Sequence, residues 1–156
     1  MKLRRGKHTN NCLVASLAML LDKPYEELES KEGWTIVWPS LPPPNCFRGF
    51  HVEELQYDLL SYGLCLVPYY PGISYDPNGL TAIEIDLQLK YDKVMSIFDG
   101  LIIGLDAQGS PHAVAWDHKE QLIYDPRGYT ASRESIQSEC FYACVRSPAR
   151  IVWPSV

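Results

Sequence analysis

Residues 12–21 read Cys-Leu-Val-Ala-Ser-Leu-Ala-Met-Leu-Leu, an apolar run broken only by Ser16. Two asparagines, Asn10 and Asn11, come just before it, and both are good helix N-cap residues. The run reads as a helix with no polar face to offer to water, so the rest of the chain has to cover most of it. Cys12 falls in the first turn of that helix. There the positive end of the helix dipole favours thiolate over thiol, and thiolate is the reactive form.

A thiolate needs a base, and the base needs a group to orient it. Much later comes Ser110-Pro111-His112-Ala113-Val114-Ala115-Trp116-Asp117, a short strand that opens on a histidine. A turn at His118-Lys119-Glu120 follows, then a second strand, Gln121-Leu122-Ile123-Tyr124-Asp125, ending in Pro126-Arg127-Gly128. A hairpin pairs the two strands antiparallel. The start of the first then lies beside the end of the second, so His112 and Asp125 become neighbours at one end of a sheet. Asp117 sits at the far end and is poorly placed to orient His112. Trp116, four residues from His112, shares its strand face and either flanks the histidine or packs.

The 156 residues suit one domain over 1–156, large enough to bury a core without disulfides or metals. A net charge of −5 argues against a general nucleic-acid binder. Lys2, Arg4, Arg5 and Lys7 form a small basic arm that raises the local potential near Cys12. The apolar run is too short to span a bilayer and lacks a small-residue cleavage site, so a cytoplasmic protein without membrane contact is expected. Five cysteines (Cys12, Cys46, Cys65, Cys140 and Cys144) show no framework pattern. Cys140 and Cys144 would lie about 13 Å apart along one strand, too far to bridge. All except Cys12 read as reduced and mostly buried. His8, His51 and His118 have no partner pattern. Although His8 and Cys12 are four residues apart, there is no second pair and no CxxC, so neither a metal nor another cofactor is expected.

Between these ends, Asp22-Lys23-Pro24 stops the first helix and starts a short second one through about residue 31, with Asp22 or Lys23 as cap and Pro24 in its first turn. Residues 34–45 form a proline-rich connection, read as a rigid surface loop that could border a cleft. Helical spacing of Val52, Leu55, Leu59 and Leu60 predicts a helix over 51–62, with Gly63 as its stop. Residues 64–67 read as a strand. Residues 82–89 alternate strictly, with Ile83, Ile85, Leu87 and Leu89 opposing Glu84, Asp86 and Gln88, and predict a half-buried strand. Residues 91–98 fit either element. Residues 101–105 read as a strand, 132–137 as one helical turn, and 140–146 as a closing strand. Helices first and an antiparallel sheet last is an α+β pattern.

On these residues the chain resembles the C39-like branch of the papain-like cysteine peptidases, including small bacterial and bacteriophage members. The matching pieces are Asn11-Cys12-Leu13-Val14-Ala15-Ser16-Leu17-Ala18-Met19-Leu20-Leu21, Pro24-Tyr25-Glu26-Glu27-Leu28, His112-Ala113-Val114-Ala115-Trp116 and Tyr124-Asp125-Pro126-Arg127-Gly128. The resemblance implies a papain-like α+β fold, with N-terminal helices packed on a C-terminal antiparallel sheet. It implies Cys12 as nucleophile, His112 as base and Asp125 as orienter, acting on a peptide or protein substrate without a cofactor. For a phage-encoded member the place of action is the host cytoplasm. The family usually carries a glutamine about six residues before the cysteine, donating to the oxyanion; here that position is Gly6. Asn10 or Asn11, with the Cys12 N–H, is expected to take its place. Loss of one such donor typically slows catalysis about a hundred- to a thousandfold. The same triad also serves deamidases and transglutaminase-like acyl transfer. A different reading is a binding module on a degenerate peptidase scaffold, such as a phage protein that captures a host factor.

Overall fold

Residues 13–20 are buried without exception, Ser16 included, as a helix lacking a polar face demands. The computed structural model describes residues 1–7, 11–30, 34, 51–72 and 78–146. Three helices come first: α1 (Cys12–Leu20), α2 (Tyr25–Glu29) and α3 (Val52–Ser61). Then follow β1 (Leu64–Tyr69), α4 (Ala82–Met95), β2 (Gly100–Leu105), β3 (Pro111–Asp117), β4 (Leu122–Asp125), β5 (Tyr129–Ala131) and β6 (Gln137–Arg146). Residues 8–10, Cys46 and most of the proline-rich connection lie outside the described residues.

The six strands form one antiparallel sheet in the order β1-β6-β2-β3-β4-β5. Each face carries its own apolar cluster. On one side α1, α2 and α3 pack over Leu64, Leu66, Leu101, Ala113 and Ala115. The small side chains of Ala113 and Ala115 let α1 lie close on β3. Ser16, the polar break in α1, donates to the carbonyl oxygen of Ala113 at 3.1 Å, so its burial leaves no orphaned hydroxyl. On the other side Tyr91 and Met95 of α4 pack over Ile102, Val114, Trp116, Ile123 and Phe141. Trp116 therefore packs rather than flanking His112, and its indole N–H donates to the carbonyl of Met95 at 2.8 Å. Gly63 adopts a left-handed φ of 72°, reversing the chain from α3 into β1.

The α+β class stands, but the order of elements is not helices first and sheet last, because β1 precedes α4. The alternation over 82–89 predicts a strand, and the structure has the first half of α4 there. A period of two scatters side chains around a helix, and Ile83 and Leu89 are left 75% and 64% exposed. The helix docks instead through Tyr91 and Met95, four residues apart. Its start is a capping box: the Thr81 side chain accepts from the Glu84 N–H, and the Glu84 carboxylate accepts from the Thr81 N–H. Thr-x-x-Glu was the competing signal in the sequence. Other departures are smaller. Pro24 is the N-cap of α2 rather than part of its first turn, with φ −57° and ψ 139°. The three-residue β5 has no counterpart in the sequence reading, and the turn over 132–137 is a 3-10 turn at Arg133–Ser135. Among the described residues no helix is long and apolar enough to cross a membrane.

Candidate active site

The β3–β4 hairpin sets the geometry. Asp117 pairs with Leu122, Trp116 with Ile123 and Ala115 with Tyr124. The next step of that register brings Asp125 opposite Val114, diagonal to His112. His112 Nε2 donates to Asp125 Oδ2 at 3.0 Å, and both side chains are only 6% exposed. Asp125 Oδ1 accepts the Arg127 N–H at 2.8 Å, and Tyr129 also bonds the carboxylate. This carboxylate is thus held from three sides. Nε2 is thereby engaged, and Cys12 stands close enough to His112 to contribute to raising its pKa. Gly104 of β2 lies opposite His112, and a Cβ there would meet the Gln137 carbonyl oxygen at 2.0 Å. Only glycine lets β6 close on the strand that backs the histidine.

Electrostatics within this chain favour the charged imidazole. Burial works against His112 carrying a proton, but the bonds to Asp125 and Cys12 outweigh it, and its pKa is raised to about 9. Burial likewise opposes the Asp125 carboxylate. The His112 hydrogen bond and the Arg127 N–H overcome that and hold it below the usual carboxylate value.

Cys12 is half-buried at the start of α1 and opens, with His112, onto a cleft of about 230 Å³. Arg5, Gly6, Lys7, Pro126 and Arg127 line the remainder. The basic arm reaches this cleft because the Gly6 N–H donates to the Pro126 carbonyl at 2.9 Å. Arg127 is held by Asp106, Nη2 to Oδ2 at 2.5 Å. Arg127, Asp106, Tyr129 and Gly104 escape a reading of the sequence. The Asp-Pro-Arg-Gly turn pointed only to Asp125, and the others reach the site through strand pairing.

Of the two asparagines expected at the oxyanion, only Asn11 is among the described residues, and it is not on the cleft lining. Asn11 stands at the N-cap of α1, but its side chain makes no cap hydrogen bond. It is buried and donates through Nδ2 to the Tyr25 hydroxyl at 2.7 Å, leaving Oδ1 without a partner. The contact between α1 and α2 has drawn the amide into the core, away from the cleft lining. Asn10 lies outside the described residues. The Cys12 N–H, at the start of α1, is the other expected donor.

The other candidates separate from this site. Asp117, at the far end of the hairpin, is buried; its Oδ2 accepts from the Met1 ammonium at 2.8 Å and its Oδ1 from the N–H groups of Lys119 and Glu120. Asp99, Asp117 and His118 bring ligand atoms within 4.8 Å of one another and could in principle hold a cation. Their atoms are already engaged, however: besides the Asp117 contacts, His118 Nδ1 bonds Asp99 Oδ1 at 2.8 Å. His51 caps α3, its N–H donating to Glu54 Oε2 at 2.9 Å. Cys65, Cys140 and Cys144 are free thiols; burial pushes Cys140 up to about 11 and Cys144 up to about 12.

Comparison with protein-family models finds no match to this chain, and neither do comparisons with curated proteins and with solved structures.

Proposed function

We propose that this chain is a thiol-dependent acyl hydrolase of papain-like type, most like a C39-like cysteine peptidase, acting on a peptide or protein. The observation that carries the reading is the buried His112–Asp125 hydrogen bond, with Cys12 beside His112 on the lining of one cleft. In this account the Cys12 proton passes to His112 Nδ1. The thiolate adds to the acyl carbonyl, and the Cys12 N–H receives the oxyanion. Collapse expels the amine, which takes the proton from His112 and leaves a thioester on Cys12. His112 then draws a proton from water, the hydroxide adds to the thioester, and the acid and the thiol are released. Asp125 keeps the imidazole oriented and offsets its charge. Deamidation and acyl transfer use the same first half and differ only in the nucleophile that accepts the acyl group.

One observation favours the binding-module reading: with Asn11 turned to Tyr25, no side-chain amide for the oxyanion lines the cleft among the described residues. An activated ester distinguishes the two. With p-nitrophenyl acetate, the hydrolase should release a burst of nitrophenolate, place one acetyl group on Cys12, and then turn over steadily. Cys12→Ala should remove the burst. Acetyl groups found on other residues alone, with Cys12 free, support the binding module.

A further inference from the structure

The cleft in front of Cys12 and His112 carries three cations and no carboxylate in its lining, on a chain whose net charge is −5. Two of the three are neutralised. Lys7 Nζ lies 3.2 Å from Glu29, and Arg127 is paired with Asp106. Arg4, its neighbour on the arm, bonds Asp22 at 3.1 Å. Arg5 is exposed and has no acidic partner among the described residues.

Arg5 is nonetheless held in place. The arm is tied on one side by Arg4 to Asp22 and on the other by the Gly6 N–H to Pro126. Its stem crosses the turn at Gly128, where a Cβ would lie 3.5 and 3.7 Å from Arg5 Cδ and Cγ. Gly128 has a left-handed φ of 102°, so a side chain there is disfavoured by conformation, and the Arg5 stem lies at van der Waals distance over it. An exposed guanidinium on the lining of the cleft that holds the nucleophile, without an acidic partner among the described residues, is a receptor for a planar anion. A carboxylate matches its two parallel donors.

We propose that the cleft selects acyl substrates bearing a carboxylate close to the scissile bond, and that Arg5 is the residue that receives it. This rests on the thiol-hydrolase reading and narrows it to acidic peptides.

Two alkylating reagents of nearly equal size, iodoacetate and iodoacetamide, test it directly. Both attack the same Cys12 thiolate, so the ratio of their rates cancels the fraction of thiolate and reports the charge preference of the cleft. The reference ratio is that of free 2-mercaptoethanol. At low salt, Cys12 should favour iodoacetate relative to that reference. Most of the preference should vanish at 1 M salt, where the screening length is about 3 Å. Arg5→Gln should lower the ratio about two- to fivefold, the range for one exposed charge pair, and Arg5→Glu further. Lys119→Gln, in the turn at the far end of the hairpin, should leave it unchanged; circular dichroism checks that each variant is folded. His112 also attracts anions, so a preference that survives Arg5→Gln overturns the assignment to Arg5. If Cys12 reacts readily with iodoacetamide but shows no preference for iodoacetate, the acidic-substrate proposal falls and the hydrolase reading stands. If neither reagent labels Cys12, both fall together.

Discussion

Asp125→Asn should lower the pH at which His112 loses its ring proton by about 1–3 units and slow acyl transfer from Cys12 about ten- to a thousandfold. In the native chain burial opposes the imidazolium, and the hydrogen bonds and charges of Asp125 and Cys12 raise its pKa to about 9. Asparagine keeps the shape and one hydrogen bond but removes the negative charge. Burial is then opposed by Cys12 alone. A folded pKa above the ordinary 6.5 contributes stability that is complete below 6.5 and is lost as pH rises through about 9. Asp125 acts in the other direction: its lowered folded pKa contributes stability above the ordinary 3.8, lost as pH falls through the lower value. The asparagine variant should therefore lose stability mainly between these limits. A histidine NMR titration of both chains measures the midpoint. Glu120→Gln, an exposed change in the β3–β4 turn, is the control. An unmoved His112 midpoint in Asp125→Asn would show that another group orients the histidine.

The largest effect on folding is expected at the opposite end of the same hairpin. Asp117→Ala should destabilise the chain by about 1–3 kcal/mol, the usual consequence of leaving hydrogen-bonding groups without their buried partner. The Met1 and Asp117 side chains are 3% and 6% exposed, and the bond from the ammonium to the carboxylate is partly buried. Without the carboxylate, the ammonium and the N–H groups of Lys119 and Glu120 lose their acceptor. Burial alone would raise Asp117; the ammonium and the turn N–H groups outweigh it and hold its pKa below the ordinary 3.8. The hydrogen bond to Asp117 raises the ammonium above 8.0. The pair therefore stabilises in full between these two ordinary values, and its contribution is lost as pH falls through the lowered carboxylate value or rises through the raised ammonium value. Urea unfolding at neutral pH and at pH 3 measures it: the gap between native and variant should be wide at neutral pH and narrower in acid. A gap under about 1 kcal/mol at neutral pH would place the pair among surface ion pairs.

These two carboxylates show what a sequence can reveal. Strand pairing is arithmetic, so the hairpin alone assigns Asp125 to His112 and Asp117 to the other end. It does not reveal that Met1 folds back onto Asp117, because that contact joins residues 116 positions apart. The burial of α1 was legible for a simple reason: a helix with no polar face has one fate. α4 reads as a strand because its apolar residues alternate yet stay exposed, and its Thr81–Glu84 capping box lies outside that pattern. Asn11 was placed correctly at the helix start, but its direction depends on where α2 brings Tyr25. Arg5 was visible as charge. Its isolation from acidic partners and its seat on Gly128 arise only when the arm meets the β4–β5 turn.

Activation of Cys12 by its neighbours should set it apart from the other thiols, and carbamidomethylation at about pH 6, mapped by peptide mass spectrometry, reads that difference. A thiol paired with histidine at a helix start reacts there, whereas an ordinary thiol, titrating near 8.5, is almost silent. Cys12 should be modified well before Cys46, Cys65, Cys140 and Cys144, and His112→Ala should abolish the difference. Equal labelling of the accessible cysteines, or a native Cys12 that stays unmodified while Cys65 reacts, would contradict the account.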